Sequence, residues 1–117
     1  EHTVQACAYL AAQSLDRPDR PTAIVATSDI AALGILHAAR LLGIVVPDDL
    51  SVTGFDDTPM ASCVFPALTT VAQPIDEIAN HAITALLAAI NNPADAKVND
   101  IVLPVQLKLR ETTAQAR

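Results

Sequence analysis

The sequence has few of the residues that mark common catalytic sites. Its 117 residues include no tryptophan and only two cysteines, and aromatic residues make up 3% of the chain. The three glycines, Gly34, Gly43 and Gly54, do not form a Gly-rich phosphate-binding pattern. No Gly-x-Ser-x-Gly nucleophile motif occurs either. These absences count against a nucleotide-binding loop and against a serine hydrolase.

Basic residues are also scarce. Seven lysines and arginines face 13 aspartates and glutamates, which gives a formal charge of −6. Arg17 and Arg20 lie among Asp16 and Asp19, which offset their charge. A surface that binds nucleic acid needs clustered Lys and Arg to neutralise phosphates. We therefore expect that this stretch does not itself hold DNA.

Long apolar runs are missing as well. His37 and Arg40 interrupt the richest apolar stretch, which falls short of the roughly 20 residues of a membrane span. There is no recognisable signal peptide, and the chain opens within a predicted helix, so we expect a piece of a longer protein. Cys7 and Cys63 lack metal-ligand spacing, and reduced thiols in the cytoplasm are favoured over a disulfide between them.

Small aliphatic side chains are abundant. Apolar residues make up 51% of the chain, and Ala, Val, Leu and Ile supply nearly all of them. This content excludes a disordered chain, and the length suits one domain with a core. Side chains of this size favour helices packed closely on a sheet.

The apolar pattern alternates between helical and strand periods along the chain. Helices are predicted at 3–15, 30–42 and 75–90, and strands at 22–27, 50–55, 68–72 and 101–109, with a loop at 58–67. The first strand is expected to be parallel and fully buried, and Gly43 is expected to follow the end of the second helix. Pro104 is expected to break or bend the last strand. This order predicts an α/β fold with a mainly parallel sheet flanked by helices.

Polar residues follow three of the predicted strands: Ser28 and Asp29, Asp56 and Asp57, and Gln73. Ligands of open α/β sheets bind beyond the carboxyl ends of strands, and this mixture of groups suits a neutral, polyhydroxylated ligand such as a sugar. Structural alternatives stay open. They are a helix cap for Asp29, loop-amide bonding for one of the paired aspartates, and a solvated loop position for Gln73.

An enzymatic alternative uses the same aspartates. Asp56 and Asp57, with Asp29, form a candidate Mg²⁺ pocket. A phosphate-binding loop is missing, however, and no Lys or Arg is expected at these strand ends. His37 and His81 fall within predicted helices, where surface or packing roles are expected. We therefore predict no catalytic residue, no metal and no cofactor.

Four segments resemble motifs of the lactose-repressor/galactose-repressor family of bacterial transcription regulators. In the family's order and spacing, they are TAIVATSDIAALG at 22–34, LGIVVPDDLSVTGFDD at 42–57, PALTTVAQP at 66–74, and LP with RETT within 103–113. The resemblance implies that residues 1–117 are the C-terminal part of the effector-sensing domain. The DNA-binding helix-turn-helix and most of the N-terminal lobe would then be absent.

The resemblance implies a type I periplasmic-binding-protein-like sensor and not an enzyme. Its small-molecule effector, a sugar or related metabolite, would bind between two lobes and favour one lobe arrangement. The protein would be a cytoplasmic homodimer or higher oligomer without membrane contacts, and it would reach operator DNA only through the missing N-terminal domain. A periplasmic sugar receptor on the same fold is the alternative.

The resemblance also assigns roles to single residues. Asp56 is the best candidate for an effector contact, Ser28 stands where the family usually has Asn, and Gln73 lies near the hinge and cleft. Asp29 is expected to cap and orient its helix in support of the cleft. Ile75 falls where some members place an aromatic that stacks on the ligand, and an aliphatic side chain cannot stack in that way.

Interface positions follow from the same resemblance. Leu33, Cys63 and Val64 correspond to subunit contacts, which suits a buried thiol. The helix at 75–90 normally belongs to the other lobe, so its apolar stripe would lack its usual cover. We expect the 117-residue chain to oligomerise or exchange elements, and to bind effector weakly or not at all.

Overall fold

A computed structural model describes residues 3–93 and 100–115. The helices are α1 (Val4–Leu15), α2 (Asp29–Leu41), α3 (Pro59–Cys63) and α4 (Ile75–Asn91), and the strands are β1 (Ala23–Val25), β2 (Ser51–Thr53), β3 (Thr70–Ala72) and β4 (Gln106–Lys108). The predicted α/β class and element order are confirmed. The short helix α3 lies inside the predicted loop. The last strand is shorter than predicted and begins only after Pro104, which has no N–H to donate to a ladder.

The chain forms two compact units. The first unit comprises Glu1–Ala72 and Leu107–Arg117, and the second unit comprises Gln73–Gln106. All four strands are short, and β1 pairs with β2 while β3 pairs with β4. Because the chain leaves the first unit after β3 and re-enters it at residue 107, the first unit is assembled from two separate stretches of sequence.

The core of the first unit is aliphatic. Helices α1 and α2 pack closely, and a Cβ added at Gly34 would lie 2.6 Å from the Cβ of Cys7 and 2.7 Å from the carbonyl oxygen of Val4. Glycine is therefore what allows this approach. The largest fully buried apolar side chains of the core are those of Leu15, Leu50, Val52 and Leu68. Full burial of each stabilises the fold by about 1.5–3 kcal/mol.

Strands β1 and β2 run parallel, with Ile24 opposite Val52 and Val25 opposite Thr53. The expectation of a fully buried first strand is wrong, because Val25 is 82% exposed. Successive side chains of a strand point to opposite faces. Ile24 packs against the core, whereas Val25 faces a side that no described residue buries.

Helix α2 has well-formed ends. The Oγ of Ser28 accepts a hydrogen bond from the N–H of Ala31 at 3.2 Å, so Ser28 is the N-cap. After the last turn Gly43 adopts a φ of 69° and donates to the carbonyl of Arg40. The N–H of Ile44 bonds to the carbonyl of Ala39, which completes a Schellman motif. The expected helix end at Gly43 is confirmed.

The segment at 110–114 fastens β2 to the stretch before β3. Thr112 makes two bonds to the backbone of Val52. Its carbonyl accepts from the Val52 N–H at 2.8 Å, and its side-chain Oγ1 donates to the Val52 carbonyl at 2.6 Å. The same Oγ1 accepts from the N–H of Thr69. Ala67 and Glu111 are joined by two further bonds. Because these bonds hold Glu111 and Thr112, they also fix the position of Arg110, which directly precedes Glu111.

The second unit is dominated by α4. The helix begins after Pro74, and Asp76 and Glu77 in its first turn suit the positive end of the helix dipole. None of its residues is buried, although it carries a wide apolar stripe. The exposed members of that stripe are Ile75, Ile78, Ile83, Leu86, Leu87 and Ile90. Across residues 3–93 and 100–115, no helix combines the length and the apolar character that crossing a bilayer requires.

Candidate functional site

The carboxyl ends of β1 and β2 bring three of the expected site residues to one edge of the first unit. The two strands are parallel, so Ser28 and Asp29 after β1 lie at the same edge as Asp56 after β2. Asp56 also forms a parallel bridge to Ala72 at the end of β3. This edge is where open α/β sheets bind ligands.

Asp29 is completely buried and joins three segments. One carboxylate oxygen accepts from both the N–H and the Oγ1 of Thr58, at 2.7 and 3.0 Å, and the other accepts from the Oγ1 of Thr70 at 2.5 Å. A Cβ added at Gly54 would collide with this carboxylate. The expected cap role of Asp29 is wrong. Ser28 is the non-helical cap residue and Asp29 is the first residue of the helix, with its carboxylate bonded to the loop after β2 and to β3.

Asp56 and Asp57 form a turn with an unusual backbone. Their φ angles are 118° and 56°, in the region that L-residues rarely adopt. Conformations of this kind cost roughly 1–3 kcal/mol each, persist only when their surroundings hold them, and cluster at ligand sites. Here the N–H of Asp56 donates to the carbonyl of Val71 at 2.9 Å, and the N–H of Asp29 donates to that of Phe55.

Asp57 is paired with Arg110. The guanidinium donates to the carboxylate at 2.6 Å, and both side chains are about four-fifths buried, with 21% and 20% exposed. The carboxylate of Asp57 has a cation as its partner, whereas the sequence predicted loop-amide bonding for one of the two aspartates without distinguishing them. An Arg does lie at these strand ends, where none was expected.

Arg110 was missed because its contacts are distant in sequence. It lies 53 residues from Asp57 along the chain. Its guanidinium also donates to the carbonyl of Leu68, and its backbone N–H donates to the Oγ1 of Thr69, both at 2.9 Å. The only sequence signal was its place in the closing RETT motif.

Ser28 keeps hydrogen-bonding capacity beyond its role as a cap. The capping bond uses a lone pair of Oγ, so the hydroxyl hydrogen can still be donated. The side chain is half-buried at the edge where Asp56 also lies. A hydroxyl and a carboxylate in one place can donate to, and accept from, the hydroxyl groups of a ligand.

Gln73 belongs to the second unit. It lines a mostly apolar cavity of about 250 Å³ together with Pro74, Ile78, His81, Ile101, Leu103 and Val105. Ile75 is exposed at the start of α4. His37 and His81 are both exposed, which confirms the expected surface positions.

The described residues contain no cluster of three or more His, Cys, Asp or Glu side chains that could hold a metal ion. The candidate Mg²⁺ site also loses a ligand, because the carboxylate of Asp57 is neutralised by Arg110. Mg²⁺ needs carboxylate oxygens that are free to coordinate it.

The three expected interface residues have different surroundings. Leu33 is half-buried on α2, Cys63 is exposed at the end of α3, and Val64 is half-buried against the core. Cys7 and Cys63 are both free thiols. Helix α2 carries the exposed Ile30 and Leu41 on the same side as Leu33, and beside Cys63 the side chain of Phe65 is 95% exposed.

Comparison with known proteins identifies the chain's relatives. Residues 2–113 match the family described as the periplasmic binding protein-like domain. The chain is 46% identical over 105 residues to the HTH-type transcriptional regulator DegA of Bacillus subtilis. That match takes in 89% of this chain and 30% of DegA.

The solved structures that resemble this chain also include regulators of the LacI family. A LacI family transcriptional regulator from Enterococcus faecium with bound ribose superposes with a TM-score of 0.84 at 31% identity, covering 96% of this chain and 41% of that chain. The lac repressor dimer bound to operator and the anti-inducer ONPF superposes with a TM-score of 0.85 at 32% identity, covering 95% of this chain and 38% of that chain. The chain therefore spans less than a third of DegA and about two fifths of either solved chain.

Proposed function

The chain belongs to the periplasmic-binding-protein-like family, among the lactose-repressor/galactose-repressor regulators, and from this premise we propose that it is the effector-sensing part of a bacterial transcription regulator. Its relatives are transcriptional regulators and not enzymes, so the Mg²⁺-dependent enzyme is set aside. The observation that carries the proposal is the edge where Ser28 and the strained turn at Asp56 lie together. We assign residues 1–117 to the C-terminal part of the sensing domain.

The proposed effector is a sugar or a related polyhydroxylated metabolite. The Asp56 carboxylate can accept hydrogen bonds from two ligand hydroxyls, and Ser28 can both donate and accept. Gln73, with an amide that does both, stays a predicted effector contact on the family resemblance alone. The ribose bound to the Enterococcus faecium regulator supports a sugar.

The proposed output is control of operator DNA. With a formal charge of −6, this chain is a poor DNA surface, so the contact is assigned to an N-terminal helix-turn-helix of the whole protein. The effector would act by binding one lobe arrangement better than the other. A regulator of this kind works in the cytoplasm.

The proposed oligomer is a homodimer that uses the outer side of α2 and the end of α3. Ile30, Leu33 and Leu41 lie on the side of α2 away from the core, which also carries His37, and Cys63 and Phe65 are exposed at and just after the end of α3. Apolar surface of this kind is typical of interfaces between subunits. The relative that binds operator does so as a dimer, which supports this assignment.

The test is calorimetric titration of the full-length regulator with D-ribose, other sugars and nucleosides. We expect one of them to bind, and Asp56→Asn to weaken that binding roughly 10- to 100-fold, since bonds to a charged group contribute about 1.5–3 kcal/mol. The matched control is Asp48→Asn, at an exposed position between α2 and β2, which should bind like the wild type.

Two results would overturn the proposal. If Asp48→Asn and Asp56→Asn weaken binding equally, the site is placed wrongly. If the full-length reading frame carries an export signal where a helix-turn-helix is expected, the protein is a periplasmic sugar receptor.

A further inference from the structure

We propose that the Arg110–Asp57 ion pair is a positioning device that holds the Asp56 carboxylate in the direction needed for effector binding. This inference rests on the proposed function, because Asp56 is the proposed effector contact. Neither Arg110 nor Asp57 contacts the effector in this proposal. Both act through the backbone of the turn at 56–57.

The backbone of the turn at 56–57 is strained. Two consecutive L-residues with φ of 118° and 56° do not keep that conformation on their own. The direction of the Asp56 side chain follows from its backbone angles, so a turn that relaxes would rotate the carboxylate away. The site therefore needs something that holds the turn.

Three bonds to other segments hold the turn at 56–57. Upstream, the N–H of Asp56 bonds to the carbonyl of Val71. Downstream, the N–H of Thr58 bonds to the buried carboxylate of Asp29. Asp57 lies between these two anchors, and its side chain is held by Arg110 at 2.6 Å. All three bonds tie the turn to neighbouring segments of the first unit.

Arg110 bonds to the turn and to the stretch before β3 at the same time. One terminal guanidinium nitrogen, Nη2, donates to Asp57 and the other, Nη1, donates to the carbonyl of Leu68, while the backbone N–H donates to the Oγ1 of Thr69. Arginine's planar fork allows two directed bonds at once, which an ammonium group does not match. The fork thus sets the Asp57 side chain at a defined place relative to the stretch before β3.

The contrast with Arg17 supports a special role. Arg17 forms an ion pair with Asp19, two residues away, in which both side chains are more than half exposed. That pair joins neighbours in one loop and holds no other segment. Arg17→Gln is therefore a matched control for Arg110→Gln, because the same chemical change removes an ion pair without touching the turn.

The experiment uses the full-length regulator and two readouts. The first is hydrogen exchange, followed by mass spectrometry, in peptides covering residues 55–58 and 23–26. The Ala26 N–H, bonded to Thr53, reports opening of the sheet. We expect Asp57→Asn and Arg110→Gln to speed exchange at 55–58 about tenfold or more while 23–26 stays unchanged. Arg17→Gln should change neither, and Arg110→Lys should fall in between.

The second readout is the affinity for D-ribose in a double-mutant cycle. If Arg110 acts through Asp56, the double variant Asp56→Asn/Arg110→Gln should lose no more affinity than Asp56→Asn alone, since the two changes remove one interaction. Additive losses would overturn the proposal. Equal acceleration of exchange at 55–58 and 23–26 would also overturn it, because a pair that only stabilises the fold acts on both. If the wild type does not bind D-ribose, the cycle is run with the sugar or nucleoside that binds in the calorimetric titration. If none of them binds, the proposed function fails, and the exchange data alone decide whether the pair holds the turn.

Discussion

The two units of the chain have similar apolar content but bury it very differently. In the first unit, Leu50, Val52 and Leu68 are completely buried, and the bonds of Asp29, Arg110 and Thr112 join distant segments. In the second unit, α4 carries a regular apolar stripe, yet none of its residues is buried. Apolar periodicity thus predicts where a helix forms. It does not tell which surface covers that helix.

The largest expected difference between the units is in core truncation. Leu50→Ala should lower the free energy of unfolding of the chain by about 2–5 kcal/mol, because a fully buried side chain leaves a cavity. Leu86→Ala, at a side chain that is 60% exposed, should lower it by less than about 0.5 kcal/mol. Urea unfolding of the 117-residue chain, at a concentration low enough to keep it monomeric, measures both. Equal losses would mean that Leu86 is covered within the monomer.

The next prediction concerns how tightly the first unit is packed. Gly34→Ala should cost about 1–3 kcal/mol, since the added Cβ meets the Val4 carbonyl of α1 and the backbone must move. Gly43→Ala adds a Cβ into open space and should cost only the roughly 1–2 kcal/mol of a left-handed φ. Thermal unfolding compares the two. A harmless Gly34→Ala would contradict the close approach of the two helices.

A smaller effect is expected at the start of α2. Ser28→Ala should cost about 1 kcal/mol, because the N–H of Ala31 loses its partner. Ser28→Asp keeps a capping oxygen and should restore most of that stability. The start of α4 offers no equivalent, because Pro74 makes no side-chain capping bond. Urea unfolding of the two Ser28 variants checks the assignment of the cap.

The smallest expected change in stability accompanies a change in association. We expect the 117-residue chain to self-associate through α4, so Leu86→Glu should shift sedimentation toward a smaller species and alter the unfolding of the monomer by less than about 0.5 kcal/mol. The control is Leu10→Glu on α1 of the first unit, where the leucine is 62% exposed against 60% for Leu86. A wild-type chain that sediments as a compact monomer at high concentration would contradict this prediction.

Much of the fold could be predicted from local patterns. The bounds of α1, α2 and α4 agree with the sequence to within about one residue, because apolar spacing, Ser28 and Gly43 mark where helices begin and end. The burial of β1 could not be predicted in this way. An apolar run such as the one around Val25 shows that both faces are apolar, and only the packed structure shows which face is covered.

The candidate site was predictable only in part. Parallel strands bring their carboxyl ends to one edge, so the grouping of Ser28 and Asp56 followed from the order of elements. Ser28 and Asp29 are equally good caps by residue type, and the structure separates them because Ser28 alone has an extended backbone, with a φ of −157°. Arg110 could not be predicted, since its contacts with Asp57 and Leu68 depend on how the chain returns to the first unit.

The return of the chain at residue 107 has a consequence for biosynthesis. Arg110, which pairs with Asp57, and Thr112, which fastens β2, are translated after the whole of α4. A ribosome-bound chain that has emerged only as far as α4 already contains Ser28, Asp29 and Asp56, yet it lacks Arg110 and Thr112. The edge where Ser28 and Asp56 lie can therefore reach its final structure only late, when the segment at 110–114 leaves the exit tunnel. Premature termination within α4 would leave every proposed ligand contact present and the turn at 56–57 without its arginine.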